Sequence, residues 1–123
     1  MARAFFGVDI GSKDLDRALR KMPHLIERVA DRVVEEEVRD VAADMRRLAP
    51  RRTGTLADSI QPEHKRGTAW GRAVAKARYG PFVERGTGRT KPQPYAAPAR
   101  ELSQKRLPKR LAEAVKQEMR RQK

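Results

Sequence analysis

One long segment with a helical repeat of apolar residues constrains the fold of this chain most. Between residues 25 and 48 the apolar positions recur every three to five residues, at Ile26, Val29, Val33, Val38, Val41, Met45 and Leu48. This spacing predicts an amphipathic helix, roughly 36 Å long at 1.5 Å per residue. We expect one small domain to cover only part of the stripe and a second subunit to cover the rest. The alternative is a solvated helix with a narrow core face.

The segment after this helix predicts a rigid elbow. Pro50 has no N–H with which to continue a helix, and Gly54 offers the positive φ that a tight connection often needs. The hydroxyl groups of Thr53, Thr55 and Ser59 can bond to nearby backbone groups and hold the loop in one shape. We therefore expect the chain to turn sharply here and to enter its first central strand near Ile60.

Short apolar runs around the elbow predict a small sheet. Residues 59–66 and 69–78 flank Gly67, which indicates a β-hairpin. In the second run small residues share one face, so a helix can pack closely against it; they are Gly71, Ala73, Ala75 and Ala77. Residues 1–11 are expected to form an arm or an edge strand, followed by a short helix that Ser12 caps and Leu15 and Leu19 anchor.

The last third of the chain predicts a turn, a loop and a helix. We expect a compact turn over residues 79–87, a mobile basic loop over residues 88–92 and an extended segment over residues 92–98. Apolar residues then recur at helical spacing from Leu102 to Met119, with Pro108 expected to kink or split the helix. The fold class is therefore α+β, with a long N-terminal helix packed on a small antiparallel sheet. Residues 1–123 are expected to form a single domain.

Charge divides the chain into two unlike halves. Residues 1–50 hold ten basic and ten acidic side chains, whereas residues 51–123 hold 19 basic and six acidic ones, which is the whole net charge of +13. The second half is therefore expected to face an acidic partner, either nucleic acid or an acidic protein surface. The cations expected to bind it are Arg85, Arg89 and Lys91 in the loop, and Lys109 and Arg110 in the last helix.

No set of residues predicts catalysis, a metal site or a cofactor site. His24 and His64 have no carboxylate at the spacing of metal ligands, and both are expected on the surface. Glu84 is the one carboxylate that stands out, because it lies among apolar, Gly and Pro residues. We expect it to accept hydrogen bonds from Thr53 or from backbone N–H groups, or to pair with an arginine. No apolar run approaches the roughly 18 residues of a membrane span, so we expect assembly in the cytoplasm.

Three separated segments together resemble one protein family. The first is similar to the signature A-P-x-x-T-G-x-L-x-x-S-I, the second to Y-A-x-x-V-E-x-G-T with Gly80 in place of the alanine, and the third to Q-P-[FY]-x-x-P-A. The residues that match are Ala49, Pro50, Thr53, Gly54, Leu56, Ser59 and Ile60; then Tyr79, Val83, Glu84, Gly86 and Thr87; then Gln93, Pro94, Tyr95, Pro98 and Ala99. In this order and spacing, over residues 12–120, the chain resembles the small tail-component, or neck, proteins of tailed bacteriophages and prophages, also described as tail-completion or head–tail joining proteins.

The resemblance implies a structural virion protein without catalysis or cofactor. Such a protein would form part of an oligomeric ring at the head–tail junction, after assembly in the bacterial host. Its partners would be copies of itself and other neck and tail proteins, namely the connector or stopper and the tail terminator or tube. Acids of the long helix would pair with arginines of the next subunit.

The alternative is a basic nucleic-acid-binding protein, because +13 is a large charge for a small domain. Against it, the chain has six aromatic residues and none is interleaved with basic residues as a stacking platform. No helix-turn-helix or zinc signature is visible either. Non-specific contact with phage DNA is compatible with the structural reading.

Overall fold

A long helix and a three-stranded antiparallel sheet organise the molecule. The computed structural model describes residues 6–51 and 54–121. The elements in chain order are β1 (Phe6–Gly11), α1 (Lys13–Arg20), α2 (His24–Leu48), α3 (Thr55–Ser59), β2 (Ile60–His64), β3 (Trp70–Ala75), α4 (Gly80–Arg85) and α5 (Ala96–Arg121). The fold class is α+β, as the sequence predicted.

The predicted hairpin forms the second half of the sheet. Strand β3 is central, and the sheet order is β1-β3-β2 with both pairings antiparallel. In the two registers Phe6 and Ile60 both lie opposite Ala75, and His64 lies opposite Gly71. Gly67 connects β2 to β3 with a φ of 86°, a conformation that glycine adopts without steric cost.

Helix α2 packs on the small face of β3, as the alternation of side chains predicted. A Cβ atom added to Gly71 would lie 2.8 Å from Cγ2 of Val38, so only glycine permits the observed approach at that point. Ala73 and Ala75 on the same face are also buried. The small residues of β3 thus allow the valine-rich face of α2 to pack closely on the sheet.

The chain itself covers the apolar stripe of α2, which corrects the expectation of a second subunit there. The stripe residues from Val29 to Met45 are buried within the single chain, while Ile26 and Leu48 at the two ends are half-buried. Both β3 and α5 pack against α2. Helix α5 begins earlier than expected, and this longer helix covers part of the apolar stripe of α2.

The N-terminal elements follow the predicted pattern. Strand β1 lies at an edge of the sheet. The Ser12 hydroxyl accepts a hydrogen bond of 2.9 Å from the Leu15 N–H, the usual way in which serine caps a helix. Leu15 and Leu19 are half-buried against the core, and Pro23 immediately precedes α2.

The elbow contains a short helix that the sequence analysis did not predict. Gly54 has the expected positive φ, 77°, and directly precedes α3. The guanidinium of Arg46 donates two hydrogen bonds to the Ile60 carbonyl, of 3.0 and 2.6 Å, and so ties the end of the elbow to α2. Thr53, to which the elbow motif also assigns a role, lies outside the described residues.

The last two elements also differ from their predictions. The expected turn over residues 79–87 contains α4, and the expected extended segment ends at Ala96, where α5 begins. Pro98 fits because proline is tolerated in the first turn of a helix. Helix α5 continues through Pro108, so it is not split. Gln104, whose carbonyl loses its helical donor at Pro108, is exposed and can bond to water.

Candidate functional site

Glu84 joins α4 to the first turn of α5. Its Oε1 accepts hydrogen bonds of 2.8 Å from the backbone N–H groups of Tyr95 and Ala96, and its Oε2 accepts one of 3.0 Å from Ala97. The first N–H groups of a helix have no partner within the helix, and their positive end favours a carboxylate. Of the partners expected for Glu84, the backbone N–H groups are therefore the ones observed.

The three family-like segments meet around one surface pocket. It has a volume of about 700 Å³ and is lined by Pro50, Thr55, Leu56, Tyr79, Val83, Thr90, Lys91 and Gln93. Leu56 is buried at its base, whereas Tyr79 is 40% exposed. Segments that are far apart in the sequence thus build a single concave, largely apolar surface.

Two exposed aromatic residues lie in this part of the chain, Tyr79 in the pocket lining and Phe82 immediately before the lining residue Val83. Phe82 lies one helical turn after Tyr79, in α4, and is 60% exposed. Large apolar side chains at such exposure are costly in water, and grouped next to a pocket they are typical of a protein contact surface. We call the eight pocket residues together with Phe82 the apolar face.

A hydrogen-bonded turn carries two of the predicted partner-binding cations. Thr87 and Thr90 exchange backbone hydrogen bonds of 2.9 and 3.3 Å, and the Thr87 hydroxyl accepts bonds from the N–H groups of Arg89 and Thr90. Gly86 has a φ of 77°, and a Cβ there would lie 2.7 Å from the Thr90 carbonyl oxygen. The turn therefore holds Arg89 at its tip and Lys91 at the pocket wall.

The remaining motif residues support this arrangement from the core. Ile60 and Tyr95 are buried, and the Ser59 hydroxyl donates a bond of 2.7 Å to the Leu56 carbonyl. The Tyr95 ring meets Phe6 edge-on, with centroids 6.0 Å apart. Its hydroxyl is buried and has no hydrogen-bond partner among the described residues. Burial, followed by the nearby Glu84 charge, raises the pKa of Tyr95 well above its ordinary value. Pro94 is exposed, and Pro98 lies in the first turn of α5.

The other predicted partner-binding cations lie on helices α4 and α5. Arg85 ends α4, and its guanidinium lies 5.9 Å from the centre of the Phe6 ring. Lys109 is exposed on α5. Arg110 is not an unpaired surface cation, because it forms ion pairs with Glu37 and Asp40 of α2.

A charged cluster between α2 and α5 was missed by the sequence analysis. Arg106 donates bonds of 2.9 and 2.7 Å to Glu37 and one of 3.1 Å to Asp44. Glu37 is 0% exposed, and its hydrogen bond raises the pKa of Arg106 above the usual range. The expectation that these acids pair with a neighbouring subunit is corrected, because they form ion pairs with Arg106 and Arg110 of the same chain. Two signals could have indicated the cluster: Glu37 falls on the valine stripe, and Arg106 and Arg110 are four residues apart.

His64 was expected on the surface, and the structure instead covers most of its side chain. Its side chain is 7% exposed, with Nε2 at 3.0 Å from an Asp31 oxygen and 2.8 Å from the Thr68 carbonyl oxygen. The end of β2 lies against α2, which explains the burial. In the described residues no group of three or more His, Asp or Glu side chains could hold a metal ion. Within the same residues, no helix is both long and apolar enough to cross a membrane.

Comparison with known families matches this chain to one of them. The family described as "Bacteriophage HK97-gp10, putative tail-component" matches residues 13–86, which is more than half of the chain. The chain belongs to this family. No curated protein and no solved structure matches it significantly.

The match to the HK97-gp10-like family covers the first motif segment and all but the last residue, Thr87, of the second. The elbow and the segment from Tyr79 to Gly86 lie within residues 13–86, whereas the segment from Gln93 to Ala99 lies beyond them. The structure nevertheless joins the third segment to the second through the bonds of Glu84. The HK97-gp10-like chain thus carries an apolar face to which all three segments contribute.

Proposed function

We propose that this chain is a structural virion protein that acts at the head–tail junction of a tailed phage or prophage. Copies of it would form part of an oligomeric ring that completes the tail or joins it to the head. The protein acts there by contact, without catalysis or cofactor. Membership of a tail-component family supports the phage role.

The observation that carries the contact role is the apolar face. A pocket of about 700 Å³ next to the exposed Tyr79 and Phe82 leaves apolar surface in water unless a protein covers it. Most of the residues that build it come from the segments on which the family resemblance rests; Thr90 and Lys91 lie between two of them. A tail component with such a face is suited to binding a neighbour in the particle.

The decisive experiment removes the protein from the phage. A stop codon early in the gene should give full heads and complete tails that remain separate in electron micrographs, and the wild-type chain supplied in trans should restore joining. Micrographs of joined particles labelled on this chain should show a ring at the junction. Normal joined particles without the protein would contradict the proposal.

Nucleic-acid binding is the second candidate, because of the charge of +13. In this alternative function the unpaired cations would contact phosphates, and the chain would bind DNA rather than a tail protein. The two candidate functions differ in the salt dependence of DNA binding.

A further inference from the structure

Four unpaired cations either line the pocket or stand next in sequence to a residue that lines it. Lys91 forms part of the pocket wall, Arg51 follows Pro50, Arg78 precedes Tyr79 and Arg89 precedes Thr90. All four are exposed, and none forms an ion pair within residues 6–51 and 54–121. Arg106 and Arg110, by contrast, are paired with acids of α2. We call Arg51, Arg78, Arg89 and Lys91 the basic rim.

The carboxylates near the rim leave its charge unbalanced. Glu84 is the only acid between Glu63 and Glu101, and both of its oxygens are engaged by backbone N–H groups. Asp58 in α3 is two residues after the lining residue Leu56 and has no ion pair in the described residues. One cation, Lys91, therefore lines an apolar pocket, and three more follow or precede its lining residues in the chain.

A second copy of this chain is poorly suited to fill the pocket. Most of its acids already have a cation within ion-pair distance, including the three of α2 that face α5. In the described part of the chain, the acids with neither an ion pair nor a hydrogen bond are Glu36, Asp58, Glu101 and Glu113, and they lie on three different elements. Within residues 6–51 and 54–121, no segment therefore presents a run of unpaired acids beside an apolar side chain.

We infer that the pocket binds an acidic segment of a different protein. The segment inserts one or two large apolar side chains between Leu56, Val83 and Tyr79, and its carboxylates lie against the basic rim. A volume of about 700 Å³ is within the range of roughly 300–1,000 Å³ found for binding pockets. That this partner is another tail protein rests on the proposed function, whereas the chemistry of the segment rests on the pocket and its rim.

Peptide binding to the purified full chain tests the inference. The probe is a fluorescein-labelled ten-residue peptide with two adjacent leucines flanked by Asp and Glu, compared with a peptide in which alanines replace the leucines. By fluorescence anisotropy the leucine peptide should bind about tenfold more tightly or better, since buried apolar area adds to the charge attraction. Equal binding of the two peptides would show a charged surface without a pocket and would overturn the inference.

Two double variants separate the rim from general charge. Arg89→Glu with Lys91→Glu should weaken binding of the leucine peptide by about tenfold or more. Lys105→Glu with Lys116→Glu makes the same charge change on exposed residues of α5 and should change it less than about twofold. Circular dichroism checks that both variants fold. Equal losses in the two variants would contradict the proposed location.

Competition and sedimentation test the other occupants. If a random DNA duplex displaces the leucine peptide at 0.15 M salt and binds more tightly than it, the pocket region is a nucleic-acid surface and the inference fails. If the wild-type chain self-associates and the Arg89→Glu, Lys91→Glu variant does not, a second copy is the occupant and the inference fails. The virion experiments above do not depend on the peptide, so the proposed function and this inference can fail separately.

Discussion

Glu84 caps a helix from a distance of more than ten residues in the sequence. Glu84→Ala leaves the N–H groups of Tyr95, Ala96 and Ala97 without their acceptor, which should lower the free energy of unfolding by about 1–3 kcal/mol. Glu84→Gln keeps one acceptor oxygen and should lose less. Urea unfolding measures both, with the exposed Glu101→Ala as control. An unchanged midpoint for Glu84→Ala would contradict the capping role.

Tyr95 is buried with a hydroxyl that has no partner in the described part of the chain. Tyr95→Phe should therefore be neutral or slightly stabilising at pH 7, because no hydrogen bond is lost. The folded pKa is raised above the ordinary value of 10.0, so the folded state holds this proton more tightly than the unfolded state does. Stability is unaffected by this group below pH 10 and falls as the pH rises above it.

Thermal unfolding between pH 8 and 11 tests the sign of this effect. The wild-type chain should lose more stability over this interval than Tyr95→Phe does, because the variant has no phenol to ionise. Tyr79→Phe, at the exposed tyrosine, should follow the wild type. If the stability of the wild type and that of Tyr95→Phe changed equally with pH, the raised pKa of Tyr95 would be contradicted.

At the scale of elements, the ion pairs between α2 and α5 hold the last helix in place. Arg106→Ala leaves the fully buried Glu37 with Arg110 alone. Removing one partner of a buried pair costs about 3–5 kcal/mol, and we expect the lower end because Arg110 remains. Replacing Glu37 and Arg106 together by leucine should recover most of the loss. The exposed ion pair between Arg39 and Glu35 gives the control, since Arg39→Ala should lower the free energy of unfolding by about 1 kcal/mol or less.

The elbow depends on the left-handed backbone at Gly54. A valine there must adopt a φ of 77°, which β-branched residues strongly disfavour, so Gly54→Val should cost about 1–3 kcal/mol. Gly88→Val is the matched control, because Gly88 has no positive φ and a Cβ there meets nothing within 4 Å. Similar unfolding midpoints for the two variants would show that the elbow tolerates strain.

The elements that sequence reasoning could predict are those with a repeated pattern. The valine stripe of α2 and the alternation along β3 each extend over several periods, so chance agreement is small. Helices α3 and α4 have five and six residues, too few for a helical period to show. Pro98 and Pro108 argue locally against α5, yet its packing on α2 outweighs them. The pocket could not be predicted from spacing, because Leu56, Val83 and Gln93 meet only once the chain has folded.

At the scale of the whole molecule, the internal ion pairs determine which charges remain available. Arg106 and Arg110 are neutralised by α2, so the excess positive charge belongs to the hairpin, the basic rim and the exposed residues of α5. That charge attracts DNA at low salt whatever the function. Counterion release lowers such binding steeply with ionic strength, with a log–log slope of about 0.9 per phosphate contacted.

We therefore expect weak, non-specific binding to random duplex DNA at physiological salt, with a dissociation constant of about 1 µM or higher. Fluorescence anisotropy at 0.05 and 0.2 M salt, with two unrelated duplex sequences, measures it. Loss of most binding at the higher salt is the expected outcome. Binding that stays tight there and discriminates between the sequences would favour the nucleic-acid reading over the structural one.

The order of the strands also limits how copies of this protein can be joined. Two copies that met at β1 by antiparallel pairing would be related by a twofold axis and would stop at a dimer. Continuous pairing around a ring would need β2 of one copy to meet β1 of the next. Strand β2 carries Pro62, which has no N–H to give, next to the exposed Glu63, and both features discourage strand addition. The curvature of a ring would therefore be set by side chains fitting together and not by a shared sheet.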